Sequence, residues 1–356
     1  MSKMPPNSAV LPEGADIRQL RRQAKELLAS AMANDRAALD DLQSVHSSRG
    51  QDLALWQAQL VVARTYGFVS WPNMRRAVAE LSGPVAEPIP AGPIFRAKYL
   101  DDTAVFTPRR FLDDASAVGW EPGPLPDAIV YVFAGHFAAM LENDPRFERN
   151  YALAPANSIM FTTVDSLVSV GVSCLSPGVG AMVGQIEHQV ELGGASNFVI
   201  LGTAGAIASD LAIGQVVLAT SAVRDDGVSQ HYLPPDTYVD ADVELTLSLG
   251  RSLKHSDVRT VEGVTWTLPT PYRSTADEVA HFASEGVGIV ETEIASLFAV
   301  AEALGVKAAA VSVVARSLVD DKAPVVPKQA LPAELLNGVL GALGVTERAD
   351  TSGTTR

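Results

Sequence analysis

A single cysteine, Cys174, removes two classes of architecture at once. No intrachain disulfide can form, and a cysteine-built zinc site is ruled out. Within the apolar run Val170–Leu175 the residue reads as a small core side chain. Basic residues are also scarce: 27 Lys and Arg stand against 41 Asp and Glu, a net charge of -14. Nucleic acids and anionic membranes are held mainly through phosphate neutralisation, so such a surface speaks against both as partners. An anionic substrate would need a local basic pocket. No run approaches the roughly 20 apolar residues that span a bilayer. Met1–Gly14 lacks the apolar core of a signal peptide, so a soluble, cytoplasmic protein is expected. His, Asp and Glu show no metal-ligand spacing, and no metal is expected. Aromatic residues are only 6% while hydrophobic ones reach 47%, so Ala, Val and Leu must fill the core.

What is present divides the chain in two. Helical stripes run over Asp16–Leu28, Arg36–Val45, Leu53–Tyr66 and, after a Ser70 cap with Pro72 in the first turn, through Met74, Val78 and Leu81. Together they predict a small all-α domain over 1–82, about 80 residues. Residues 83–93 are rich in proline and glycine and read as a linker. From 94 to 345, continuous apolar strands alternate with helices. That pattern predicts a three-layer α/β/α domain around a mainly parallel, mixed central sheet. Strands are expected at Asp127–Phe133, Ser158–Thr162, Leu167–Leu175, Phe198–Leu201, Gln215–Ala222 and Arg259–Trp266. Asn143–Pro155 reads as loop, and the polar residues 346–356 as a disordered tail.

Five stretches carry candidate chemistry. Ser176–Gly184 opens a helix directly after a strand, where backbone N–H groups either cradle a phosphate or simply make a close-packed turn. The acid that would grip a nicotinamide ribose is missing after the next strand. Gly202–Ala206 reads as a small-residue turn at a strand end, with Thr203 offering a hydroxyl. Val223–Pro235 is a long polar loop containing Arg224, Asp225, Asp226 and His231, and such loops are usually functional. His231 either acts on substrate or packs the loop, and Arg224 is a candidate for holding the loop through Asp225 or Asp226. Trp266–Thr275 adds Trp266 or Tyr272 for stacking and Arg273 for an anion or a base carbonyl. Finally, Glu291-Thr292-Glu293 falls where a buried strand breaks into a helix, the edge at which open α/β sheets bind ligands. A carboxylate there either caps the helix or accepts hydrogen bonds from a sugar diol.

In this order the segments resemble the nucleoside phosphorylase family, which includes uridine and purine nucleoside phosphorylases. GTAGAI is similar to the family's Gly-Thr-Thr/Ser-Gly segment, and VRDDGVSQHYLPP to its Arg-Asp-Glu-Gly-Thr-Ser-Tyr-His-Tyr loop. WTLPTPYRST and the stretch around Glu291–Glu293 match two further family motifs, and the likeness runs from about Leu167 to Ser317. The resemblance implies a pentosyltransferase that cleaves an N-glycosidic bond with inorganic phosphate, without an organic cofactor. It implies a homo-oligomer whose neighbour completes the site. It places Glu293 on the ribose hydroxyls with Glu291 and Thr292 in the same pocket, Thr203 and the Gly202 backbone between phosphate and sugar, and Tyr272 and Arg273 near the base.

Departures accompany the likeness. The family's phosphate-binding Arg is Ile200 here, its Met between the two glutamates is Thr292, and its Asp before Ala-Pro is Pro269. Arg316 stands where purine-specific members carry an acid, which favours pyrimidine nucleosides. Asn143-Asp-Pro-Arg is only superficially like the family's early phosphate segment. A hydrolytic nucleosidase on the same fold, or a catalytically inactive nucleoside-binding or accessory protein, is the alternative reading. The stretch Leu20–Leu81 resembles helical modules that precede ankyrin-type repeats, and these helices are a candidate surface for a protein partner.

Overall fold

Strand β1 (Ala128–Val132) is buried along its whole length, and its side chains alternate between two cores. Ala128, Val130 and Val132 join one cluster, while Ile129 and Tyr131 join the other. A period of two with both faces apolar is what a sheet covered by helices on each side requires. The computed structural model describes residues 11, 15–45, 55–68, 71–81, 100, 104–133, 136–150, 158–320, 325 and 333–345.

The first core lies under α6 (His136–Glu142), α8 (Val243–His255) and α11 (Ala333–Ala342), the second under α7 (Val179–Glu191) and α10 (Ile294–Leu304). Between them lies a ten-stranded mixed sheet. Its centre is parallel: β5 (Asn197–Ala206) lies between β1 and β10 (Lys307–Ser317), and β1 pairs β4 (Val170–Leu175). Antiparallel β3 (Ser158–Thr163) and β2 (Phe147–Asn150) extend one side. On the other side β10 pairs antiparallel with β6 (Val216–Arg224), which is parallel to β8 (Thr260–Thr267), itself parallel to β9 (Val287–Glu291). β9 then returns to the far end of β5, so these five strands close into a ring. Short β7 (Tyr238–Asp240) hangs on β6. The three-layer α/β/α architecture behind a small helical unit is the one expected.

Local differences from the sequence reading have physical causes. Gly202–Ala206 is not a turn but the second half of β5, extended because β10 pairs with it throughout. A Cβ at Gly205 would meet Leu318 Cδ1 at 2.3 Å, so the Leu318 side chain occupies the space that the glycine leaves. Phe147–Asn150, read as loop, pairs with β3. The linker at 83–93, the tail at 346–356 and the Ser70 cap lie outside the described residues.

Helices α1 (Ile17–Met32), α2 (Arg36–Val45), α3 (Leu55–Thr65) and α4 (Trp71–Leu81) share their own core, including Leu20, Leu42 and Met74. They also dock on the ring. Leu60 packs with Ala204, Val217, Val261 and Ile289. Arg21 and Arg75 both bind Glu285, the latter at 2.7 Å, and Arg64 reaches Glu262 at 2.8 Å. Asn73 and Arg75 donate to Asp240 and to the Tyr238 hydroxyl. Gly286 has φ +86, which favours glycine, and the Gln59 side chain of the docked helix fills the space that a Cβ would take. Among the described residues no helix is long and apolar enough to cross a membrane.

Candidate active site

At the carboxyl end of β9 the chain turns through Glu291-Thr292-Glu293 into α10, and the two carboxylates take different duties. Glu291 is the helix cap. Its Oε2 accepts from the backbone N–H of Glu293 at 2.7 Å and of Ile294 at 2.8 Å. Its Oε1 accepts from the hydroxyls of Thr265, at 3.1 Å, and Thr267. Thr267 Oγ1 in turn accepts from Ala295 N at 2.8 Å. Three N–H groups that a helix start leaves without intrahelical partners are thus satisfied by β8 and β9 side chains. Burial pushes the Glu291 carboxyl up to about 7, the charge of Glu293 adds to the rise, and the hydrogen bonds from Thr267, Glu293 and Ile294 oppose it.

Glu293 does not cap the helix with its side chain. Its Oε1 accepts from Gly178 N at 3.2 Å and its carboxylate borders a cavity. Gly178 precedes α7 with φ +140, a conformation that favours glycine. The cavity holds about 490 Å³ of empty space, part of it open to solvent. Phe133, Pro177, Ile200 and Leu201 supply apolar walls; Thr203, Thr292 and Ser312 supply hydroxyls. Gly202, Thr203, Glu291, Thr292 and Glu293 are therefore brought together as expected from sequence.

The remaining candidates are placed elsewhere. Arg224 is buried and donates to Ser229 Oγ and to the carbonyls of Ser229, Leu233 and Pro234, fastening the loop after β6 through carbonyl oxygens. Asp226 accepts from Ser229 N and Oγ and from Ser296 Oγ, tying that loop to the first turn of α10. Trp266 is fully buried against Phe282 and donates to Asp225 Oδ2 at 3.1 Å. Burial raises the Asp225 carboxyl, the Trp266 bond opposes this, and Glu278 and Asp226 add to the rise. His231, Tyr272, Arg273 and Arg316 are exposed and do not border the cavity. Arg316 lies across the β10–β5 pair from Gly205. Arg146 of the Asn143–Arg146 stretch is engaged with Asp144 and Asn337. The Cys174 thiol is buried and pushed up to about 12. Among the described residues no three His, Cys, Asp or Glu side chains converge on a metal position.

Sequence reasoning missed Phe133, Pro177 and Ser312 in the wall and Thr265 and Thr267 beneath it. A signal existed for three of them. Ser312 interrupts an apolar strand, and Thr265 and Thr267 are two polar residues at strand spacing on a fully buried stretch.

The profile of the Phosphorylase superfamily matches residues 128–330, more than half of the chain. The protein belongs to that superfamily. The match begins at β1 and leaves out the four N-terminal helices. A uridine phosphorylase from Haemophilus influenzae is 29% identical over 141 residues, 36% of this chain and 56% of the relative. One from Treponema pallidum is 33% identical over 106 residues, 29% of this chain and 40% of the relative. A guanosine phosphorylase from Halorubrum lacusprofundi is 24% identical over 154 residues, 43% of this chain and 61% of the relative. The chain thus spans about half the length of these curated relatives, and the superfamily is what the likeness shows.

Proposed function

We propose that this superfamily member is a glycosyl-transfer enzyme that cleaves the N-glycosidic bond of a nucleoside, with Glu293 gripping the ribose hydroxyls. One observation carries the reading. At the α10 start the Glu293 side chain lines the cavity together with Gly202, Thr203 and Thr292, where a carboxylate and hydroxyls meet a ligand-sized space. A carboxylate accepts two hydroxyl hydrogen bonds at once, which suits a vicinal diol. Thr203 and the Gly202 backbone flank the same space, and Phe133 and Pro177 offer apolar surface to a planar base.

Glycosidic cleavage passes through an oxocarbenium-like state with positive charge on the sugar. Two carboxylates in a buried setting favour that charge more than they favour the neutral substrate. Pyrimidine nucleosides are our first choice of substrate, on the names of the uridine phosphorylases; Arg316 lies outside the cavity and adds nothing to that choice. Inorganic phosphate, which the resemblance implies, and water are the two acceptors that complete the reaction. Incubation with uridine, cytidine, inosine and guanosine, followed by chromatography of the free base, tests the reading. Release of a base is expected and is lost in Glu293→Ala; an unchanged rate in that variant overturns the assignment.

A further inference from the structure

Resting on the nucleoside reading above, we infer that Ser312 is a further ligand-binding residue, whose hydroxyl meets the bound nucleoside across space left open by Gly202. Strand periodicity sets the direction of the side chain. Along β10, Ala310 belongs to the core under α7 and α10, while Val311 and Val313 belong to the opposite core. A period of two therefore turns Ser312 toward the face on which α7 and α10 lie. Ser312 is 2% exposed and borders the cavity, as do Pro177 just before α7 and Glu293 at the start of α10.

Packing alone does not ask for a serine here. From Ala308 to Ala315 the strand reads AAAVSVVA, alanine and valine except for this one hydroxyl. Taking a hydroxyl out of water costs free energy unless it is hydrogen-bonded, and alanine would fill nearly the same space without that cost. The hydroxyl gains a use where a polar ligand reaches it, since it donates one hydrogen bond and accepts two.

Gly202 lies directly across the β10–β5 pair from Ser312. Its backbone is part of β5 and has no positive φ. A Cβ there would lie 3.5 Å from Ile200 Cγ2 and 3.8 Å from Ser312 Oγ, both ordinary contacts. Neither the backbone nor a clash with these neighbours therefore calls for glycine. Ile200, Gly202 and Ser312 all border the cavity, so a methyl group at Gly202 would project into it beside the hydroxyl. Glycine instead lets a ligand approach the strand closely. Glu293 then holds the nucleoside from the α10 side and Ser312 from the sheet, two points on different elements that together fix its orientation.

The test is calorimetric titration of uridine, cytidine, inosine and guanosine into the full chain and into Ser312→Ala, Ser312→Cys and Gly202→Ala, each with a thermal melt. Ser312→Ala should weaken binding of the nucleosides that the parent takes by roughly 3- to 10-fold, the loss of one neutral hydrogen bond. Ser312→Cys, which fills the same place with a poor donor, should weaken it as well. Gly202→Ala should melt like the parent and bind more weakly. Parent-like affinity in both Ser312 variants overturns the inference and leaves the nucleoside reading standing. A Gly202→Ala chain that binds like the parent, or that loses its cooperative melt, overturns the role given to the glycine. A parent that binds none of the four nucleosides overturns this inference and the nucleoside reading together.

Discussion

A half-buried and a buried carboxylate flank strand β9, and the protein stabilises them by opposite means. Glu285, before the strand, faces two guanidiniums from the N-terminal helices, Arg21 and Arg75. Glu291, at its end, receives only neutral donors: two threonine hydroxyls and two backbone N–H groups. The first arrangement cancels charge where two structural units meet. The second satisfies hydrogen bonding without any countercharge, beside the cavity. Both glutamates lie within the segment that matches the superfamily, whereas the arginines that neutralise Glu285 lie outside it.

Removing the cavity carboxylate gives the largest effect. Glu293→Ala deletes the acceptor for two charge-assisted hydrogen bonds of about 1.5–3 kcal/mol each, so nucleoside affinity should fall roughly 100-fold or more, read by calorimetry. Glu291→Ala should act the other way round. It strands buried donors on α10 and β8 and should cost about 2–4 kcal/mol of stability, read from the denaturant midpoint. A Glu291 variant as stable as the parent breaks the comparison.

Acidity sharpens it further. The folded Glu291 carboxyl is raised from 4.5 to about 7, so between those values the folded chain holds a proton that the unfolded chain has lost. Its contribution to stability is full below about 4.5 and is lost as the pH rises through about 7. Denaturant midpoints across that window should show this decline in the parent and a flatter profile in Glu291→Gln. The smallest effect belongs to the helical side. Arg75 is a quarter exposed, and Arg75→Ala should cost about 1 kcal/mol after solvent screening, with nucleoside affinity unchanged.

Much of the fold was legible because long apolar strands leave few options. The AIVYV and AAAVSVVA runs can only be interior strands, and α10 between β9 and β10 follows from its length and the Gly305 stop. The closure of five strands into a ring was not legible, since it depends on β9 returning to Gly205 and Ala206, residues that read locally as a turn. The Glu291–Glu293 pair was visible as a candidate, but local spacing could not say which glutamate caps and which faces the cavity. Thr265, Thr267 and Gly178 decide that, and all three are distant in sequence. Arg224 could be recognised as a loop anchor, while its carbonyl partners, on Ser229 in the 3₁₀ turn Ser229–His231 and on Leu233 and Pro234 beyond it, are fixed only by tertiary packing.

The division of labour between the two glutamates is tested most directly by titrating uridine and 2′,3′-dideoxyuridine into the parent and into Glu293→Ala. The account predicts that the parent binds uridine far more tightly than the dideoxy analogue, and that the variant binds both equally weakly. A variant that still distinguishes the two would place the ribose hydroxyls on another group and contradict the assignment of Glu293.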